Sequence, residues 1–342
     1  VKSKCVRLVV ALTEAEEADF LPPDVREQFE ALPVEAEWCR LPLSSPEDWP
    51  RVLNEAKADA LMTAYACPAL PDDLAVGGEG NLRYVAYLGG SIKELVPRNL
   101  LERGLQVTNW GASIGRTVAE CGLLLILSAM RRASFWSVAM HRDKAWKQGL
   151  ETVTQSLFGK RVGFHGFGQI AQQMVPLLKP FGGPLSAYSP GVPDALLEKL
   201  GVRSSPSLEE VFSGNDVIVE LEAYTAKTYH MVTEDHLRSI PPGGVFVNIG
   251  RGQVVDEEAL IRVARERVDD LQMGLDVFEI EPLPDDSPLR GMPNVALLPH
   301  LAGPTKDRRR DSTVLAIEHL KKFIQGQPVS DRITTEIYDR TT

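Results

Sequence analysis

Arg161-Val-Gly-Phe-His-Gly-Phe-Gly-Gln-Ile-Ala171 is a short apolar run that breaks into glycines and passes straight into an amphipathic stretch, Gln169–Leu178. Each position of Gly166-x-Gly168-x-x-Ala171 has a physical task. Gly166 permits a tight turn after a strand, Gly168 lets backbone approach a pyrophosphate, and Ala171 is small enough for the helix to lie on the strand. The anion would rest on the helix N-terminus, where unpaired N–H groups and the dipole favour negative charge. Strand, glycine turn and helix together predict a dinucleotide site; the glycine spacing alone would not. Gly166, Gly168, Gln169 and Ile170 are the expected contacts at this turn.

Outward from this turn, β-rich runs alternate with helical patterns. Strands are expected at Val6–Leu12, Ala60–Thr63, Arg83–Leu88, Leu105–Asn109, Arg161–Phe164, Leu185–Tyr188, Asp216–Leu221, Val245–Ile249, Met273–Val277 and Val295–Leu298. Helices are expected at Gln169–Leu178, Leu208–Phe212, Glu257–Glu266 and, at the end, Asp311–Phe323. Ser207-Leu-Glu-Glu210 reads as a capping box for one of them. Such alternation implies βαβ units and parallel sheets. A chain of 342 residues exceeds what one core usually supports, and the alternation falls into two blocks, before and after about residue 115.

Composition narrows the function classes. Apolar residues make up 44% and charged residues 25%, which fits a folded globular chain rather than a disordered one. A net charge of −10 argues against general nucleic-acid or membrane-surface binding, since polyanions are repelled. The one basic run, Lys306–Arg310, reads as a solvated stretch beside a helix start. Cys5, Cys39, Cys67 and Cys121 form no CxxC pair and no metal-ligand spacing, so reduced thiols, a cytoplasmic setting and no metal are expected. Val6–Leu12 contains a charge and reads as a first strand, not a leader. Val118–Met130 holds Glu120 and is too short to cross a bilayer, so a buried helix is expected there.

The second half of the dinucleotide fingerprint is an acidic residue at the end of the next strand, which grips a ribose hydroxyl. Here Leu185–Tyr188 is followed by Ser189-Pro190-Gly191. Serine can hydrogen-bond a ribose but does not repel a 2′-phosphate, and no arginine follows to attract one. NAD is the expected cofactor, with NADP left open. Glu198 and Glu209 stand too far along for this role.

Three later segments carry more specific information. They are Val247-Asn-Ile-Gly-Arg-Gly-Gln-Val-Val-Asp-Glu-Glu-Ala-Leu260, Gly274-Leu-Asp-Val-Phe-Glu-Ile-Glu-Pro-Leu-Pro284 and Asn294-Val-Ala-Leu-Leu-Pro-His-Leu-Ala-Gly303. In order and spacing the chain resembles the D-isomer-specific 2-hydroxyacid dehydrogenase family from about Arg83 to the last helix. Residue chemistry points the same way. Arg251 follows a strand, where open α/β sheets place ligands, and its planar guanidinium suits a carboxylate. Glu281 and His300 follow two further strands. A histidine beside a carboxylate is a natural acid–base unit, able to protonate a developing alkoxide.

The resemblance implies an α/β fold of two Rossmann-like domains with doubly wound parallel sheets. A dinucleotide-binding domain, 116–301, is inserted into a discontinuous substrate domain, 1–115 plus 302–342, with the site in a cleft that closes to exclude water. It implies that Arg251 binds and polarises a small 2-keto or 2-hydroxy acid, that hydride passes between nicotinamide C4 and substrate C2, and that His300, oriented by Glu281, handles the proton. Gly89, Gly90 and Ser91 would offer N–H groups to the substrate carboxylate. Thr117, Thr225, Ile249 and Asp276 would join Ser189 around the cofactor, Asp276 at the carboxamide. Trp110 would line the pocket or a subunit contact. A homodimer through Thr117–Arg131 and Phe135–Trp146 is expected. His141, His165, His230, His236 and His319 match no catalytic position, and His165 reads as structural. One departure stands out: where the family often shows His-x-Pro-x-Thr, Leu221-Glu-Ala-Tyr-Thr225 keeps only the threonine. The same fold also occurs in NAD(H)-binding corepressor scaffolds and in formate or phosphite oxidation. Glu281, rather than glutamine, speaks against formate.

Overall fold

A computed structural model describes residues 5–43, 45, 47–78, 81–147 and 152–340. The chain divides into two compact units. One comprises Val1–Ile114 with Pro304–Thr342, the other Gly115–Gly303.

The first unit is built on five parallel strands: β1 (Val6–Leu12), β2 (Val34–Arg40), β3 (Ala60–Thr63), β4 (Tyr84–Tyr87) and β5 (Gln106–Thr108), in the order β2-β1-β3-β4-β5. This is a doubly wound order. The central strands are buried on both faces, so they read as near-continuous apolar runs rather than alternating ones. Val9, Leu61 and Val85 face a core with Trp49. Leu8, Val10, Met62 and Tyr84 face the opposite core with Phe20. Into that second core come Ala316, Ile317 and Leu320 of the helix Arg310–Ile324. The C-terminal segment is therefore part of the unit that begins the chain.

β2 was not foreseen. Its side chains are mostly exposed, although Val34, Ala36 and Trp38 alternate with Glu35 and Glu37 as a strand would. It is an edge strand, and charges there guard against pairing with other chains.

The second unit carries seven parallel strands: β6 (Val162–His165), β7 (Leu185–Tyr188), β8 (Arg203–Ser204), β9 (Val217–Glu220), β10 (Gly244–Asn248), β11 (Leu271–Leu275) and β12 (Val295–Leu297). Their order is β12-β11-β10-β9-β6-β7-β8. The chain leaves β6 to one side through β7 and β8, then crosses back to β9 on the other. That reversal opens a crevice at the C-terminal ends of β6 and β9, where such sheets take ligands.

Two local readings need correction. Ser207 does accept from the Glu210 N–H at 3.3 Å, but the Glu210 carboxylate does not complete the box. It pairs with Arg203 at 2.6 Å instead. The apolar helix is also longer than Val118–Met130. The helical run Gly111–Arg131 is, among the described residues, long and apolar enough to cross a membrane by length and composition. Its Gly115–Arg131 part buries Val118, Ala119, Leu125, Ile126, Ala129 and Met130, and packs on β10, β11 and the helix Gln169–Leu178.

Candidate active site

Three neighbouring strands of the second unit end in the loops that carry the catalytic candidates. Arg251 follows β10, Glu281 follows β11 and His300 follows β12. His300 Nδ1 lies 2.6 Å from Glu281 Oε2, while Glu281 Oε1 accepts from the Phe278 N–H at 2.9 Å. The carboxylate is thus fixed by its own loop, and the ring is fixed by the carboxylate. With Nδ1 engaged, Nε2 is the nitrogen that can meet a substrate. His300 has φ +55°, a left-handed conformation uncommon outside glycine. Its N–H donates to the Asp276 carbonyl at 2.8 Å, which ties that backbone down.

Arg251 Nη1 donates to the Gly250 carbonyl at 2.7 Å, and the Asn248 side chain donates to the Arg251 carbonyl at 3.2 Å. Burial pulls the guanidinium below its ordinary value, and the charge of Glu281 opposes that pull. Arg251 and Glu281 belong to loops that follow neighbouring strands. Gly252 lets these loops approach. A Cβ there would fall 1.9 Å from the Phe278 carbonyl carbon.

At the glycine turn, Gly166 has φ +83°, and a Cβ on it would lie 2.7 Å from the Glu222 nitrogen. Gly168 differs: nothing lies within 4 Å of where its Cβ would be, and it caps the ten-residue helix Gln169–Leu178. Gly168 and Gln169 are exposed, Ile170 is half-buried and Ala171 is fully buried on the sheet. Open space over a helix N-terminus fits the pyrophosphate of a dinucleotide.

The sequence model of the D-isomer specific 2-hydroxyacid dehydrogenase NAD binding domain matches residues 123–302, more than half the chain. The chain belongs to the D-isomer-specific 2-hydroxyacid dehydrogenase family. It is an NAD-dependent oxidoreductase. This dehydrogenase is similar to a glyoxylate reductase of Thermococcus gammatolerans, with 31% identity over 262 residues covering 75% of this chain and 77% of the relative. It is also similar to a hydroxyphenylpyruvate reductase of Plectranthus scutellarioides, with 33% identity over 230 residues covering 67% and 71%. In fold it resembles the apo D-mandelate dehydrogenase of Rhodotorula graminis, with TM-score 0.79 and 24% identity over 96% of this chain and 97% of that one.

Other residues of the dehydrogenase singled out by sequence take varied positions. Ser189 follows β7 and is half-buried; its carbonyl accepts from the Val192 N–H at 3.2 Å. The Thr225 hydroxyl serves its own turn, accepting from the Lys227 and Thr228 N–H groups, both at 3.2 Å. Ile249 is 3% exposed and abuts Gly122. Thr117 lies in the first turn of Gly115–Arg131 and is half-buried. Gly89, Gly90 and Ser91 belong to the first unit. There the Gly89 carbonyl accepts from the Trp110 N–H at 3.0 Å and the Gly90 carbonyl from Asn109 at 2.7 Å. The Trp110 ring meets Tyr65 edge-on at 6.3 Å.

Asp276 has a task that sequence reasoning missed. It is fully buried, and its two oxygens accept from the N–H groups of Leu301 at 2.7 Å and Ala302 at 2.9 Å. It clamps the loop that carries His300. The only sequence hint was an aspartate at a strand end, which does not reveal what lies 25 residues on. His165 is likewise fully buried, with Nδ1 2.6 Å from Glu220 Oε2 on the neighbouring strand. Its structural reading fits this placement; its charged partner was not foreseen.

Proposed function

We propose that this dehydrogenase interconverts a small 2-keto acid and its D-2-hydroxy acid, with Arg251, Glu281 and His300 carrying the chemistry. The observation that supports this most is the 2.6 Å contact of His300 with Glu281, on loops that neighbour the one carrying Arg251. When bound, NADH supplies the hydride that C2 accepts. Arg251 holds the substrate carboxylate in its planar fork and polarises the keto oxygen. His300 Nε2 donates a proton to the developing alkoxide, and Glu281 keeps the ring oriented. In the oxidative direction Nε2 removes the hydroxyl proton.

On the cofactor side, Gly166, Gly168, Gln169 and Ile170 receive the pyrophosphate, Ser189 faces a ribose, and Thr117, Thr225 and Ile249 shape the surrounding wall. Asp276 serves the carboxamide as well as the loop, since each carboxylate oxygen has a second lone pair. Four free thiols suit a reducing, cytoplasmic setting. Exposed Leu124, Val138, Met140 and Trp146 on and after the helices Gly115–Arg131 and Ala133–Arg142 suit a homodimer contact.

The named relatives act on glyoxylate and on hydroxyphenylpyruvate. These bracket a panel running from glyoxylate through hydroxypyruvate and pyruvate to aromatic 2-keto acids. At least one should oxidise NADH in a steady-state assay. A chain that binds NADH yet turns over none of them would refute the proposal.

A further inference from the structure

The acid that reads a ribose is expected after β7, and Ser189 stands there. On the other side of the glycine turn stands an acid that is not expected, Glu222. Three strand ends lie abreast: the Gly166 N–H donates to the Tyr188 carbonyl at 2.9 Å, and the Leu221 N–H donates to the His165 carbonyl at 2.8 Å. A Cβ on Gly166 would fall 2.8 Å from the Glu222 Cα, so Glu222 is pressed against the turn itself.

It is also held from below. Glu220 Oε1 accepts from the Glu222 N–H at 2.8 Å, and Glu220 Oε2 meets His165 Nδ1 at 2.6 Å, with both side chains fully buried. His165 is thus the ring that faces Glu220 across the two strands. Glu222 is half-buried, and its Oε1 accepts from the Ala223 N–H at 3.0 Å, so the carboxylate stays beside the backbone that packs on the turn. Among the described residues, no lysine or arginine pairs with Glu222. An acid that no lysine or arginine among the described residues neutralises thus stands beside the phosphate-binding turn.

We propose that Glu222, seated by the buried His165–Glu220 pair, is the specificity-determining acid of this dehydrogenase. It discriminates against a 2′-phosphorylated dinucleotide from the β9 side of the turn, in place of the carboxylate missing at Ser189. This rests on the nucleotide reading of the turn and deepens it. Glu222 tolerates a dinucleotide whose ribose is free, and opposes one that brings two more negative charges to the crevice.

The test titrates the full chain and its Glu222→Gln variant with NADH and NADPH, at low and high salt. The unaltered chain should bind NADH at least about tenfold more tightly than NADPH at low salt, with the gap narrowing as salt screens the charge. In Glu222→Gln the gap should shrink to about threefold or less, through tighter NADPH binding. Adding Ser189→Asp to that variant should widen it again. A gap unchanged in Glu222→Gln while NADH still binds overturns the proposal, as does an unaltered chain that prefers NADPH. Should the variant lose NADH altogether, the salt series on the unaltered chain decides: narrowing supports the proposal, and a salt-independent ratio overturns it. Failure of the unaltered chain to bind NADH would refute the nucleotide reading, and this inference with it.

Discussion

His300 sits at φ +55°, a conformation that costs a non-glycine residue on the order of 1–3 kcal/mol. The cost is offset locally: Asp276 takes the His300 N–H on its carbonyl and the next two N–H groups on its carboxylate. A substitution at Asp276 should therefore damage the site without touching substrate. Asp276→Ala should lower the melting temperature by several degrees, in line with about 1–3 kcal/mol per orphaned buried donor, and lower kcat at least tenfold. Unchanged melting and turnover would contradict the clamp. Arg251 makes a sharper residue-scale prediction. Arg251→Lys keeps the charge but not the fork, so KM for a 2-keto acid should rise about tenfold or more, and a normal KM would remove Arg251 from the carboxylate. The placement of Arg251, Glu281 and His300 after three strands was legible in the sequence because each follows an apolar run in a stretch with several matching neighbours. The clamp was not, because Asp276 meets residues 25 positions away. Nor was Gly252, which matters only because Phe278 passes 1.9 Å from its absent Cβ.

Strands and helices were legible where burial imposes a pattern. Gln169–Leu178 and Glu257–Glu266 have the expected bounds, since each presents one apolar face to the sheet. β2 escaped because its alternating Val34, Ala36 and Trp38 are interleaved with glutamates in a run that is not apolar overall, and the Ser207 box was half wrong because Arg203 outcompetes the reciprocal bond. The β6–β9 rung was hidden for another reason: a buried His–Glu pair becomes visible only when the sheet order is known. That rung makes stability depend on pH. Burial by itself would lower the His165 pKa, but the charge and hydrogen bond of Glu220, with the charge of Glu222, raise it overall. A raised histidine contributes stability that is fully present below its unfolded value, about 6.5, and is lost as pH rises through the folded value. His165→Phe should therefore destabilise most at mildly acidic pH, and its deficit in melting temperature should shrink toward alkaline pH. A deficit independent of pH would mean the pair is uncharged.

At the scale of the whole molecule, the first unit is completed by the last segment of the chain. Ala316, Ile317, Leu320 and Val329 join Leu8, Phe20, Met62 and Tyr84 in one core. Each buried aliphatic side chain stabilises by about 1.5–3 kcal/mol, against a total of about 5–15 kcal/mol for a typical domain. Deleting Pro304–Thr342 should therefore leave residues 5–114 protease-sensitive, and resistance to limited proteolysis would show that the unit does not need its returning helix. The alternation of strands and helices already implied two sheets, but the assignment of the last helix to the first unit came from resemblance, since periodicity says nothing about which core an amphipathic face enters. Light scattering should give twice the chain mass of 37.7 kDa if the exposed apolar residues of Gly115–Arg131 and Ala133–Arg142 meet in a dimer. A monomeric mass would assign them another role.

The most direct test of the catalytic account is His300→Ala, assayed for turnover with the best 2-keto acid and, separately, for NADH binding. With the proton donor gone, kcat should fall by about 10²–10⁴, while NADH affinity stays within a few-fold of the unaltered chain. Near-normal kcat/KM in a folded, NADH-binding His300→Ala would contradict the account, because the proton would then come from somewhere other than the His300–Glu281 pair.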